Sequence, residues 1–275
     1  MVLSSFLITS RETLEAALVV GVVMAYLTRT NNHQYKKTVY YGILAGIVLS
    51  ILSAFIFTFF AGGFEGRAEE IFEGFTMIFA SVLLTTMILW MMKQRNIAQQ
   101  IEGKVASHIA KASYSNTYAL GLFVLILVAV LREGVETVIF FGALNYTSGI
   151  SFIGATLGII TAIAIGYMFF VGSRKINLKK FFTISSILLI LIAAGLVAHG
   201  VHELQEAALI PMGVEHVWDM NSILDENGIF GSFLKGLFGY NGNPSLIELL
   251  AYAVYLAGIF YIYHRLSSVP KKAKN

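Results

Sequence analysis

The chain has no cysteine among its 275 residues, which excludes disulfides, thiolate metal sites and redox dithiols, and is silent about compartment. Proline occurs only 3 times, so long helices meet few breakers. Charge is scarce as well: 13% of residues are charged against 57% hydrophobic, with a mean hydropathy of +0.74. That leaves too few polar residues to cover a surface facing water. The weak period-2 alternation of an outer-membrane barrel is also missing, so an all-α integral membrane protein is expected. Basic residues are scattered at loop ends rather than gathered on one face, which argues against a nucleic-acid partner. The N-terminus has no basic stretch before its apolar run, and charges lie inside that run, so no cleaved signal peptide is expected.

What the chain does have is long apolar runs. A helix crossing hydrocarbon needs ~20 of them in succession. Seven are read here, at about 4–27, 39–60, 71–92, 118–144, 151–172, 181–206 and 245–265. Of the 19 Lys and Arg, Arg67 and Lys235 fall in the loops on one side and Arg11 and Arg132 within spans; the rest follow the first, third, fifth and seventh runs. The positive-inside rule then predicts a multi-pass protein with its N-terminus outside and its C-terminus cytoplasmic. Carboxylates show the opposite bias, and an acidic outer face concentrates cations at an entrance. At Glu69, Glu70 and Glu73 the helix dipole would favour acid at a helix start in any case.

Two of the apolar runs carry charge: Arg11-Glu12-Thr13-Leu14-Glu15 and Arg132-Glu133-Gly134-Val135-Glu136. Each charged group costs about 2.5–3.5 kcal/mol at a helix centre on insertion scales, so such groups persist when paired, facing a cavity, or used. The spacing places both glutamates of a motif on one helix face, with the arginine four residues from the second. Convergence of the two motifs would bring four carboxylates and two guanidiniums together, and hard oxygen donors suit hard cations. Interhelical ion pairs that only fix packing are the alternative, although buried pairs are weak stability devices.

The first and fourth runs cross in opposite directions yet carry the same R-E-x-x-E motif. Gly42-x-x-x-Gly46 and Gly154-x-x-x-Gly158 open the second and fifth runs in the same way, and small residues at that spacing allow close helix approach. Together they predict a 3+3 inverted repeat plus a seventh helix in a single transmembrane domain covering 1–275. Repeat 1 spans about 1–92, repeat 2 about 117–206, an outer loop 207–244 and the last helix about 245–265. Transporters of that design bind substrate near the midplane, at the repeat interface. The third and sixth runs give no convincing alignment.

At the outer end of the sixth run, His199, His202, Glu203 and Glu206 share one helix face. With Glu69, Glu70 and Glu73 they form a candidate outer capture set; imidazole with carboxylate suits iron or zinc. A hydrogen-bonded helix end accounts for the same residues. The stretch Ile229 to Phe238 in the outer loop is expected to re-enter or lie on the membrane. Between Lys93 and Asn116, spaced apolar residues (Ile97, Ile101, Val105, Ile109) predict an interfacial helix on anionic lipid.

These residues resemble the oxidase-dependent, high-affinity iron permease family, and most closely the permease subunit of bacterial elemental ferrous-iron uptake systems. The resemblance rests on Arg11 to Glu15, Glu70-x-x-Glu73-Gly74, Trp90-Met91, Arg132 to Glu136, His202-Glu203, Asp219-Met220, and Phe230-Gly231 through Phe238-Gly239-Tyr240. It implies iron import across the plasma membrane, with Glu12, Glu15, Glu133 and Glu136 binding the ion and Arg11 and Arg132 supporting its path. Iron, ferric or ferrous, is then substrate, and no cofactor is held permanently. It also implies coupling to an external iron-oxidising partner, a haem peroxidase or a multicopper oxidase, and to a cupredoxin-like protein. Membrane lipid surrounds the chain, and a homo-oligomer is left open. Two other functions compete: a membrane-embedded di-iron ferroxidase, and a proton-coupled transporter of another divalent metal. Against the enzyme, both core motifs lack the histidine that di-iron bundles place beside a glutamate.

Overall fold

A computed structural model describes residues 2–93, 116–170, 178–226 and 228–268. Among the described residues the chain is all-α, with no strand. The long helices are α1 (Val2–Arg29), α2 (Lys36–Ala61), α3 (Arg67–Lys93), α4 (Asn116–Thr147), α5 (Phe152–Phe170), α6 (Leu178–Glu206) and α8 (Leu246–Ser268). A short helix, α7 (Ile229–Phe238), lies where a membrane-surface segment is expected, and a single 3-10 turn (His33–Tyr35) joins α1 to α2. The interfacial helix expected between Lys93 and Asn116 lies outside the described residues.

Each helix forms where an unbroken apolar run must satisfy its backbone internally. The ends are local chemistry. Glu69 and Glu70 lie in the first turn of α3, where the helix dipole favours acid. The Ser245 hydroxyl accepts the Glu248 N–H (3.1 Å) at the start of α8. Gly239, at φ +69°, ends α7: its N–H donates to Lys235 O (3.0 Å) and that of Tyr240 to Leu234 O (3.3 Å).

Five helical segments are long and apolar enough to cross a membrane: His33–Ala61, Arg67–Met91, Phe152–Phe170, Lys180–Glu206 and Leu246–Arg265. The two long helices outside that set, α1 and α4, are those that carry the R-E-x-x-E charges. α2 makes the solvent plain. Only Val39, Gly42 and Gly46 are buried along its length, while Leu44, Val48, Ile51, Leu52, Phe55, Ile56 and Phe59 are exposed. A belt of that kind needs lipid, since soluble proteins rarely expose large contiguous apolar patches. The chain is a multi-pass membrane protein.

Backbone contacts divide the chain into two compact units. The first holds α1, α2, α4 up to Gly142, and α5. Gly42 and Gly46 of α2 sit against Phe123, Ile126, Leu127 and Val130 of α4, while Gly154 and Gly158 of α5 sit against Val2, Phe6, Thr9 and Ser10 of α1. A Cβ at Gly46, Gly154 or Gly158 would collide with the neighbouring helix, and one at Gly42 would be tightly crowded. In lipid such backbone approach supplies packing that hydrophobicity cannot. Val23 and Leu27 of α1, Val39 of α2, and Leu122 and Ile126 of α4 close a buried cluster where α1 ends and α2 and α4 begin. The second unit holds α3, α6 from Ser186, α7 and α8. There Gly74 and Gly200 meet backbone to backbone, and the Ser81 hydroxyl donates to Ala193 O (3.0 Å).

Candidate functional site

The first unit brings Glu12 of α1 together with Glu133 and Glu136 of α4. Each offers a carboxylate oxygen within 4.8 Å of the others. Glu12 and Glu133 are buried (2% and 3% exposed) and Glu136 is partly so. Both Glu12 oxygens and Glu133 Oε2 are buried without a hydrogen-bond partner. Unpaired carboxylate oxygens are costly to bury. Three such groups at this separation repel one another unless a proton or cation lies among them. Among the described residues this is the one group of three acidic or imidazole side chains at metal-ligating separation.

The two arginines act differently. Arg11, fully buried, donates from Nε to Glu15 Oε1 (3.2 Å), and Glu15 stands outside the three-carboxylate group. Arg132 is half exposed, its side chain 54% accessible, and donates from Nε to Glu133 Oε1 (3.0 Å) and from Nη2 to the same oxygen. Its Nε also lies 3.5 Å from Glu136 Oε1. Of the four motif glutamates, Glu12, Glu133 and Glu136 gather at ligating separation, Glu15 pairs with Arg11, and Glu133 and Glu136 lie beside Arg132.

Neighbouring helices hold these side chains in place. The Thr9 hydroxyl donates to Ala155 O (3.0 Å), fixing α1 on α5 one turn before Glu12. Gly134, inside the α4 motif, lies against Ser50 of α2, whose own hydroxyl donates to Gly46 O (2.7 Å). Nothing in the motif's spacing marks Ser50 as a partner. The glycine between the two α4 glutamates was the available signal, because close helix approach demands one.

The outer set lies in the second unit and is looser. His202 Nε2 is 3.4 Å from Glu206 Oε1, and its Nδ1 is 3.6 Å from Glu248 Oε2. Glu203 feels the charges of Glu73, Glu206 and Glu70, and Glu73 those of Glu69, Glu206 and Glu70, so these carboxylates act on one another. No three of its members, among the described residues, reach ligating separation. His199 is buried, its Nε2 without a hydrogen-bond partner. Glu248 is the member that sequence reasoning missed. It is 2% exposed and accepts from Asn241 Nδ2 at 3.1 Å on both oxygens, beside a Ser245–Gln205 hydrogen bond of 2.7 Å. Ser245-x-x-Glu248 reads as an ordinary helix start, which hides that role. In the loop before α7, burial pushes the Glu226 carboxyl up. The Gly242 N–H and Lys235 more than offset this and hold it below its ordinary value.

Residues 2–265 match the model of the iron permease FTR1 family. The chain is 35% identical over 254 residues to a protein named ferrous iron permease EfeU from Escherichia coli O6:H1, covering 91% of each chain. It is 33% identical to a protein of the same name from Yersinia pestis, covering 91% of this chain and 89% of that one. A relative from Escherichia coli K12, 34% identical, is named a putative inactive ferrous iron permease. No solved structure matches. With the match running from α1 into the last turn of α8 and the relatives named as permeases, the chain belongs to the iron permease FTR1 family and is a permease, not an enzyme.

Proposed function

We propose that this chain imports iron across the plasma membrane, and that Glu12, Glu133 and Glu136 bind the ion in transit while Arg11 holds Glu15 beside them. The observation that carries this reading is the set of buried carboxylate oxygens without donors on two helices that each interrupt an apolar span with charge. Iron is a hard cation in its ferric form and is served by oxygen ligands in either state. An oxygen-only site with no thiolate and no imidazole fits a transit site that binds and releases, whereas a di-iron enzyme would call for histidine.

Seven spans, with the N-terminus outside, fit the charge distribution, and α1 and α4 cross despite their charges because arginine and glutamate of each motif pair with one another. An inverted repeat is supported by register. The shift of 121 residues that carries Arg11 onto Arg132 also carries Phe6 onto Leu127, Thr9 onto Val130 and Gly21 onto Gly142. The shift of 112 that carries Gly42 onto Gly154 carries Gly46 onto Gly158. Under these shifts the contacts of Gly46 with Leu127 and Val130 become those of Gly158 with Phe6 and Thr9. The second helix of each half thus packs on the first helix of the other. The 112-residue shift also maps Ser81 onto Ala193, which touch, as residues near a pseudo-two-fold axis do.

The outer set of Glu69, Glu70, Glu73, His199, His202, Glu203 and Glu206 serves as a capture station. It receives iron from an external oxidising partner, a haem peroxidase or multicopper oxidase acting with a cupredoxin-like protein, as the family resemblance implies. The test is initial uptake of radioactive iron against concentration in cells that supply the partners. Glu12→Gln, Glu133→Gln and Glu136→Gln should each abolish maximal uptake with protein still in the membrane. Neutralising the outer set should raise KM and spare the maximal rate. Near-normal maximal uptake in the core variants would refute the ion path.

A further inference from the structure

The two R-E-x-x-E motifs are alike in sequence and unlike in contact. Arg11 is wholly buried and spends its Nε on Glu15, a carboxylate outside the group of three. Arg132 is half exposed and spends Nε and Nη2 on Glu133 Oε1, with Glu136 Oε1 at 3.5 Å; both of those glutamates belong to the group. The first arginine is therefore a fixed counter-charge. The second occupies, from its accessible side, an oxygen that an incoming ion would need.

We propose that Arg132 is a tethered cation that competes with the transported ion for Glu133 and Glu136, and that ion binding displaces its guanidinium towards the accessible side. This rests on the three-carboxylate site proposed above and adds a release device to it. A buried cluster carrying three negative charges would hold a multivalent cation too tightly to let it go. A guanidinium on a flexible stem is matched to carboxylate geometry, and its return to Glu133 offsets the cost of releasing the ion. Arg132 can move because 54% of its side chain is accessible, whereas burial of Arg11 gives it nowhere to go. The loaded state also balances better: with Arg132 withdrawn, three ionised carboxylates match a trivalent ion, or leave one negative charge beside a divalent one.

The experiment measures equilibrium binding of ferrous iron, kept anoxic, to the purified full-length protein in detergent, together with uptake by the same variants in cells. Arg132→Gln should bind iron roughly two- to fivefold more tightly than the native protein, the range set by the worth of a half-exposed ion pair, and should transport it more slowly. Arg132→Lys, which restores a competing charge, should return affinity close to native. General damage to the site would only weaken binding, so tighter binding is a sign that a structural role cannot produce. Weaker or unchanged binding in Arg132→Gln, with Glu12→Gln abolishing it, would overturn the tethered-cation role and leave the carboxylate site standing. Native protein that binds no iron, or Glu12→Gln that binds it normally, would overturn the site and this inference with it.

Discussion

Glu12 on α1 and Glu133 on α4 gather as buried carboxylates, 2% and 3% exposed, with no donor on either Glu12 oxygen or on Glu133 Oε2. Their sequence neighbours do not share that condition. Glu15 is held by Arg11 at 3.2 Å, so the two glutamates of the first motif stand in different contacts. Glu12→Gln should remove iron binding and leave folded protein in the membrane. Glu15→Gln should instead break the buried Arg11–Glu15 ion pair, at a cost on the order of 3–5 kcal/mol. Its deficit should then appear as lost protein or a lowered melting temperature, with uptake per surviving molecule less affected. Equal amounts of both variants, with equal loss of uptake, would contradict this division.

Gly134→Ala should disturb the site without touching a charge, because the new methyl would fall on Ser50 of α2. Overpacking of this kind costs about 1–3 kcal/mol and pushes α4 from α2, moving Glu133 and Glu136 away from Glu12. The partner identifies the cause. Ser50→Gly in the Gly134→Ala background should restore much of the thermal stability and uptake, read as a double-mutant cycle, whereas additive losses would mean that the two residues do not press on each other.

Topology can be read with single cysteines, since the native chain has none. Ser222→Cys, exposed in the loop before α7, should react with an impermeant thiol reagent in intact cells. Gln34→Cys, exposed between α1 and α2, should react only after the membrane is opened. The reverse pattern would invert the orientation and remove the acidic entrance.

Glu226 supplies a pH dependence whose sign is defined. Although burial pushes it up, the Gly242 N–H and Lys235 hold its folded pKa below the ordinary carboxylate value of about 4.5. The stabilisation is therefore fully present above that value and is lost as pH falls through the lower, folded one. Trp218 fluorescence in the purified protein should report loosening of the outer loop on acidification below about pH 4.5. Glu226→Gln should show the loosened signal already at neutral pH. An unchanged signal in that variant would detach Glu226 from the loop's order.

Much of this architecture is legible in the sequence because a membrane leaves a helix few options. An apolar run of spanning length is a helix, and the observed ends differ from the expected ones by a few residues where Gly66, Gly149 and Ser245 set turns and caps. The motifs also mark where carboxylates meet. What spacing cannot express is choice of partner: in both motifs an arginine lies four residues before a glutamate, yet Arg132 turns to its neighbour Glu133 while Arg11 holds Glu15. Glu248 was hidden for the same reason, since its contact with His202 exists only once α6 and α8 are side by side.

The most direct test of the central claim is the iron K-edge X-ray absorption spectrum of purified protein loaded with one equivalent of iron. The account predicts a first shell of oxygen ligands with no imidazole scattering, lost in both Glu12→Gln and Glu133→Gln. A shell containing histidine, or a spectrum and occupancy unchanged by those substitutions, would place the ion elsewhere and contradict it.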